Sequence, residues 1–154
     1  MRIFIATTLL ALAASAQAGV SCKFGGAAIN VSDSLADLSH SPAGRRDANG
    51  KLSLFRLLTL DESEGDTNSI ELKTADVTKP GDYALSLEPG WRSLVNVRGQ
   101  REKVSGGKFH ITQFEVRDTV AHAVGTVEFT SETTRGICSF DVQVQAINRD
   151  RLGY

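Results

Sequence analysis

The clearest pattern in the chain is an alternation of apolar and polar residues near its C-terminal end. Along Ile137–Ile147, the apolar residues that begin with Cys138 and Phe140 recur at every second position, with polar residues between them. Successive side chains of a strand point to opposite faces, so this pattern predicts a half-buried antiparallel strand. Two preceding runs, Lys108–Val116 and Val120–Thr130, complete a predicted three-stranded meander.

Short apolar runs between turn-forming residues predict further strands. These are Cys22–Val31 (bent or bulged at Gly25-Gly26), Lys51–Leu60, Ser69–Thr74, Tyr83–Glu88 and Ser93–Arg98. Between them we expect loops at Ser32–Gly50, with one short helical turn over Ser34–Leu38, and at Arg98–Gly107. About seven or eight short strands predict an all-β fold, a single antiparallel β-sandwich, with a small β-barrel as the alternative.

Residues 1–18 have the pattern of a cleavable export signal. Arg2 precedes an uncharged apolar run, Ile3–Ala14, and Ala16 and Ala18 supply the small side chains that a signal peptidase requires. A membrane-spanning helix needs roughly 20 apolar residues, and polar residues interrupt this run sooner. We therefore expect a signal peptide at 1–18, a single β-domain at 19–154, and a periplasmic or secreted protein.

The chain has only two cysteines, Cys22 and Cys138. In an exported protein an even number of cysteines predicts a disulfide, here between the first and the last predicted strand. Lipidation of Cys22 is the alternative, but Gly19 stands where the lipidation motif has an apolar residue. The cysteines lack the Cys-X-X-Cys spacing of a redox-active pair.

The overall charge of the chain is nearly balanced, with 17 basic and 18 acidic residues. Such a balance gives no global field that would attract nucleic acid or an anionic membrane. Two local segments differ from the average: Asp61–Asn68 is acidic and Arg92–Lys108 is basic. The acidic segment lacks the ligand order of an EF-hand, so we interpret it as an exposed loop, with calcium binding as the alternative.

No sequence pattern indicates a catalytic or metal centre. Gly44–Lys51 has one residue too many between its glycines for a phosphate-binding loop, and no strand-turn-helix nucleophile motif is present. The three histidines, His40, His110 and His122, are widely scattered. We therefore expect a protein that is not an enzyme and that holds no cofactor and no metal.

The predicted hairpin between the last runs also places the histidines relative to other residues. If the chain turns at Asp118-Thr119, His122 lies opposite Glu115 and His110 lies opposite Val127. The two histidines are then several residue pairs apart, too far to share a metal ion.

Three segments resemble a pattern found in small exported bacterial proteins of unknown function. They are Lys79–Tyr83 (KPGDY), Gly106–Glu115 (GGKFHITQFE) and Gly125–Phe129 (GTVEF). The resemblance implies a β-sandwich fold, and in many members a lipid anchor. Its motifs specify strands and turns, so it implies no catalytic residue.

The best candidate for a binding surface surrounds the only tryptophan. Trp91 follows the turn formed by Pro89-Gly90, where an aromatic ring could stack on a ligand or instead cover one end of the core. Four basic residues follow it: Arg92, Arg98, Arg101 and Lys103. They could bind an acidic polymer, whereas a solvated strand edge is the simpler interpretation.

We expect this chain to be a non-enzymatic binding or interaction module of the cell envelope, with an envelope protein or glycan as partner. One alternative is a barrel-type carrier, which predicts an internal cavity lined by leucine, phenylalanine and valine. A more remote alternative is a hydrolase with a site on its loops.

Overall fold

The computed structural model describes residues 19–31, 35–40, 53–61, 68–117 and 120–147, which form ten β-strands and no helix. The strands are β1 (Gly19–Phe24), β2 (Ala27–Val31), β3 (Leu35–His40), β4 (Ser53–Asp61), β5 (Asn68–Ala75), β6 (Gly81–Ala84), β7 (Leu94–Val97), β8 (Gln100–Arg117), β9 (Val120–Ser131) and β10 (Arg135–Ile147). The predicted all-β class is confirmed. Across these ranges no helix is long and apolar enough to cross a bilayer.

The first predicted strand is in fact a hairpin of two strands. Gly25 and Gly26 have φ angles of 54° and 77°, and two successive positive φ angles form the tight turn that matches the twist of paired strands. The chain therefore reverses instead of bulging. β2 pairs antiparallel with β1, with Phe24 opposite Ala27 next to the turn.

The segment expected to hold a helical turn forms strand β3. It pairs antiparallel with β4 and parallel with the end of β10, where Val144 lies opposite Ala36. Two neighbouring strands satisfy the backbone groups of β3, so tertiary pairing overrides a weak local preference. This pairing also closes the path β3–β4–β5–β7–β8–β9–β10 back to β3, so the sheet curls around one interior.

The predicted meander is present as β8, β9 and β10, which pair antiparallel in sequence. Glu115 lies opposite His122, as predicted. A register shift in β8 at Thr112 then moves the pairing by one residue, so that His110 lies opposite Thr126 and not opposite the residue predicted. A β-bulge adds one residue to one strand of a pair, and the alternation of the sequence does not reveal it.

The interior is filled by aliphatic and aromatic side chains from most of the strands. Three phenylalanine rings meet at its centre: Phe55 lies 5.2 Å from Phe109, and Phe140 lies 5.8 Å from both, between ring centroids. Each fully buried ring stabilises the fold by about 1.5–3 kcal/mol. The carrier alternative predicts a cavity inside the sheet. Where Phe55, Phe109 and Phe140 meet, packed rings fill the interior.

Cys22 and Cys138 form the predicted disulfide. They lie directly opposite each other in β1 and β10, with Cα atoms 4.0 Å apart, and both are buried. The bond ties the first strand to the last. It also uses the sulfur atom that lipidation of Cys22 would modify.

Candidate functional site

The basic segment forms a hairpin of β7 and β8: β7 lies within the predicted strand Ser93–Arg98, whereas Arg98–Gly107, expected to be a loop, forms the turn and the start of β8. Arg98 and Gly99 have φ angles of 50° and 79°, which form a two-residue turn and let β8 begin at once with Gln100. Asn68 supports the turn, because its Oδ1 accepts a hydrogen bond of 2.9 Å from the Arg98 backbone N–H.

The register of this hairpin sorts its side chains onto two faces. Directly opposite residues of paired strands point to the same side. Lys103 is opposite Leu94, and both lie on the outer face with Arg101, which is exposed. Glu102 is opposite the buried Val95 and points to the other side. The strand therefore separates its basic residues from the acidic residue between them.

A groove of about 400 Å³ lies on the outer face beside the turn that precedes β7. Five residues line it: Pro89, Gly90, Arg92, Leu94 and Lys103. We call this the cationic groove. Arg92 is held at its rim, because its Nε donates a hydrogen bond of 2.9 Å to the Leu87 carbonyl.

The cations beside the groove lack anionic partners in the described part of the chain. Neither Arg101 nor Lys103 makes an ion pair there. Glu71, whose backbone lies opposite Leu94 on the neighbouring strand, is engaged elsewhere: its Oε1 lies 2.9 Å from Lys73 Nζ. An apolar groove flanked by uncompensated positive charge can attract an anion that also carries an apolar group.

Glu102 is engaged at the loop between β9 and β10. Its carboxylate accepts hydrogen bonds from the Ser131 hydroxyl, from the Thr133 hydroxyl at 2.5 Å and from the Thr133 backbone N–H at 3.3 Å. These bonds, the one from Ser131 first, lower the pKa of Glu102 because they favour the charged carboxylate. Glu102 therefore shapes a loop and forms no ion pair with the basic residues beside it in the strand.

The structure brings together only part of the predicted binding surface. Arg92 and Lys103 line the cationic groove, and Arg101 extends its charge along β8. Arg98 lies at the hairpin tip. Trp91 is half-buried, with its backbone N–H bonded to the Glu88 carbonyl at 3.0 Å, and is not among the residues that line the groove.

The apolar wall of the groove was not predicted as part of the site. Leu94 lies within the predicted strand Ser93–Arg98, whose faces were not assigned, and it is half-buried. The signal was available in the sequence: a two-residue turn at Arg98-Gly99 pairs Lys103 with Leu94 on one face.

Two histidines form pairs with carboxylates on the outer face of the meander. His110 Nδ1 lies 2.5 Å from Asp82 Oδ1, and His122 Nε2 lies 2.7 Å from Asp141 Oδ1. The hydrogen bonds of Asp82 with His110 and then with Lys108 hold its pKa below the usual range. The His122 side chain thus pairs with a carboxylate of β10 and not with Glu115, the residue opposite it in β8.

These pairs do not form a metal centre. Among the residues described, no group of three or more histidine, cysteine, aspartate or glutamate side chains could hold a metal ion. The remaining candidates lie outside the described residues: the side chain of His40, the glycine-rich segment Gly44–Lys51, and residues 62–67 of the acidic loop.

The cationic groove is thus defined by its own geometry, an aliphatic wall with a positive rim. No family model matches this chain, no curated protein matches it, and no solved structure matches it.

Proposed function

We propose that this chain is an exported, non-enzymatic binding module that recognises an anionic partner through the cationic groove. One observation carries the proposal: Arg92 and Lys103 flank an aliphatic wall, and neither is ion-paired within the described residues. The formal net charge of the chain is −1, so attraction of an anion has to come from this local arrangement.

The energies involved indicate why the groove needs both charge and an apolar wall. An exposed ion pair contributes about 0.2–1 kcal/mol, whereas a Kd of about 1 mM already requires about 4 kcal/mol. Burial of one aliphatic side chain adds about 1.5–3 kcal/mol. At the upper end of these values a partner that joins two or three anionic groups to an apolar group reaches millimolar affinity or better, and a simple inorganic anion does not.

Export is supported by two features. The signal-peptide pattern of residues 1–18 provides the route, and a disulfide between Cys22 and Cys138 suits an oxidising compartment. In a bacterial host, we expect the periplasmic protein to begin at Gly19 when its N-terminus is sequenced. If the protein stays in the cytoplasm with Met1 in place, export is contradicted. Anion binding by the groove is not tested by that result.

Binding is tested by retention on immobilised polyglutamate and polyuronate at low salt. We expect wild type to be retained and to elute with added salt, and the Arg92→Gln/Lys103→Gln double variant to elute earlier. The matched control is Lys23→Gln/Lys79→Gln, which removes the same charge from exposed residues outside the groove and should elute like wild type.

Two results would overturn the proposal. If wild type is retained on neither polymer, the groove does not bind anions. If both double variants elute at the same salt concentration, retention does not depend on the groove.

A further inference from the structure

We infer that the anionic partner is an extended polypeptide segment with acidic residues at alternate positions, followed by an aliphatic residue. This inference rests on the proposed function and names the class of partner. Three features carry it: the spacing of the cations along β8, the chemistry of the groove lining, and the position of the groove relative to the cations.

The first feature is the spacing of Arg101 and Lys103. They are two residues apart on one face of a strand, and a strand rises about 3.3–3.4 Å per residue, so their backbone positions are about 6.7 Å apart. An extended peptide has the same repeat. Its side chains at positions i and i+2 therefore meet these two cations in register, whereas acidic residues at consecutive positions point to opposite sides.

The second feature is the lining of the cationic groove. Its apolar surface comes from Pro89 and Leu94, and none of its five lining residues is aromatic. A sugar ring packs best on the flat face of an aromatic side chain, which Trp91 does not supply to this groove. The aliphatic wall suits a branched aliphatic side chain, and the volume of about 400 Å³ leaves room for the neighbouring peptide backbone.

The third feature is the order of these elements along β8. Ser93 is bonded to Val104, since the Val104 N–H donates to the Ser93 carbonyl at 3.1 Å, so Arg92 lies beyond Leu94 in the direction of increasing β8 numbers. The groove lies on the β7 side of Lys103, and Arg92 at its far end is level with Ser105, two residues beyond Lys103. For a peptide that runs parallel to β8, the matching pattern is acidic, any residue, acidic, any residue, aliphatic.

The binding of labelled peptides, followed by fluorescence polarisation, tests this inference. One peptide contains Glu-Ser-Glu-Ser-Leu, and its isomer contains Glu-Glu-Ser-Ser-Leu, with identical flanks and charge. We expect the alternating peptide to bind roughly two- to fivefold more tightly, because only there do both carboxylates face the cations together. Arg101→Gln/Lys103→Gln should remove this preference, whereas Lys23→Gln/Lys79→Gln should retain it.

A third peptide, Glu-Ser-Glu-Ser-Ser, tests the groove itself and should bind several-fold more weakly than the peptide that ends in leucine. Polygalacturonate serves as the glycan probe. The inference is wrong if the two glutamate isomers bind equally, or if polygalacturonate binds through Arg92 and Lys103 while no peptide does. In both cases the proposed function stands. If no anionic probe binds, both this inference and the proposed function are wrong.

Discussion

The ring of Phe129 covers Gly136 on the neighbouring strand. The two residues lie directly opposite each other in β9 and β10, and the ring occupies the space that a Cβ on Gly136 would need. In the same hairpin the Phe140 ring lies beside Gly125, where a Cβ would come within 3.0 Å of the ring and within 2.2 Å of the His110 carbonyl. Aromatic rings thus replace the missing side chains of two strand glycines.

Gly136→Ala should therefore destabilise the protein. The new Cβ would overlap the Phe129 ring and approach Phe24 Cβ to 2.7 Å, so the rings have to move within a packed core. We expect a loss of about 1–3 kcal/mol in the free energy of unfolding, measured by urea denaturation. Gly106→Ala is the matched control, since a Cβ there meets only Thr130 Oγ1 at 3.4 Å. Equal midpoints for the two variants would contradict this account.

Ser93→Ala should weaken the junction between β5 and β7. The buried Ser93 hydroxyl accepts the Lys73 backbone N–H at 2.9 Å and donates to the Lys73 carbonyl at 3.3 Å. Alanine leaves that N–H without its partner, which costs about 1–3 kcal/mol. Urea denaturation should show this loss, and the exposed Ser105→Ala should change stability much less. If the urea midpoint of Ser93→Ala is no lower than that of Ser105→Ala, the Ser93 hydroxyl does not stabilise the junction of β5 and β7.

The stability of the protein should depend on pH partly through Glu102. Its pKa in the folded state is lowered by the bonds from Ser131 and Thr133, so its contribution is present above the pKa of the unfolded chain. That contribution is lost as the pH falls through the folded-state pKa. Between about pH 7 and about pH 3, wild type should therefore lose more stability than Glu102→Gln.

The measurement is the thermal midpoint of each protein across this pH range. Glu132→Gln provides the control, because Glu132 is an exposed carboxylate in the same loop and should leave the wild-type pH dependence in place. Parallel curves for wild type and Glu102→Gln would show that Glu102 is not linked to folding.

Removal of the disulfide should produce the largest stability change of this series. Cys22 and Cys138 are separated by 116 positions, and closure of so long a loop restricts the unfolded chain by about 4–5 kcal/mol in the chain-entropy account. We expect Cys22→Ala/Cys138→Ala to lose about that amount. Reductant should lower the urea midpoint of wild type and leave that of the double variant unchanged; an unaffected wild type would contradict the expectation.

Local patterns in the sequence predicted the parts of the fold in which the burial or pairing of a residue depends on residues adjacent to it in the sequence. The alternation that begins at Cys138 and Phe140 predicted β10 and its buried face, and a count of two cysteines left one disulfide. A turn near Asp118 also predicted the pair Glu115 and His122. In each case the period of a strand or the length of a turn carries the information.

Other features depended on contacts between distant segments. β3 is a strand because β4 and the end of β10 supply its backbone partners, and His122 pairs with Asp141 because β10 lies beside it. The candidate site shows the same division. The sequence indicated the cations Arg92 and Lys103, but not the aliphatic wall between them.

The sequence by itself therefore determined the all-β class, the meander, the disulfide and the basic segment. Only the tertiary structure decided how the sheet closes, that Glu102 turns away from Lys103, and that Trp91 does not line the groove. The physical reason is that side-chain alternation is a property of one strand, whereas register, bulges and grooves arise where separate strands meet.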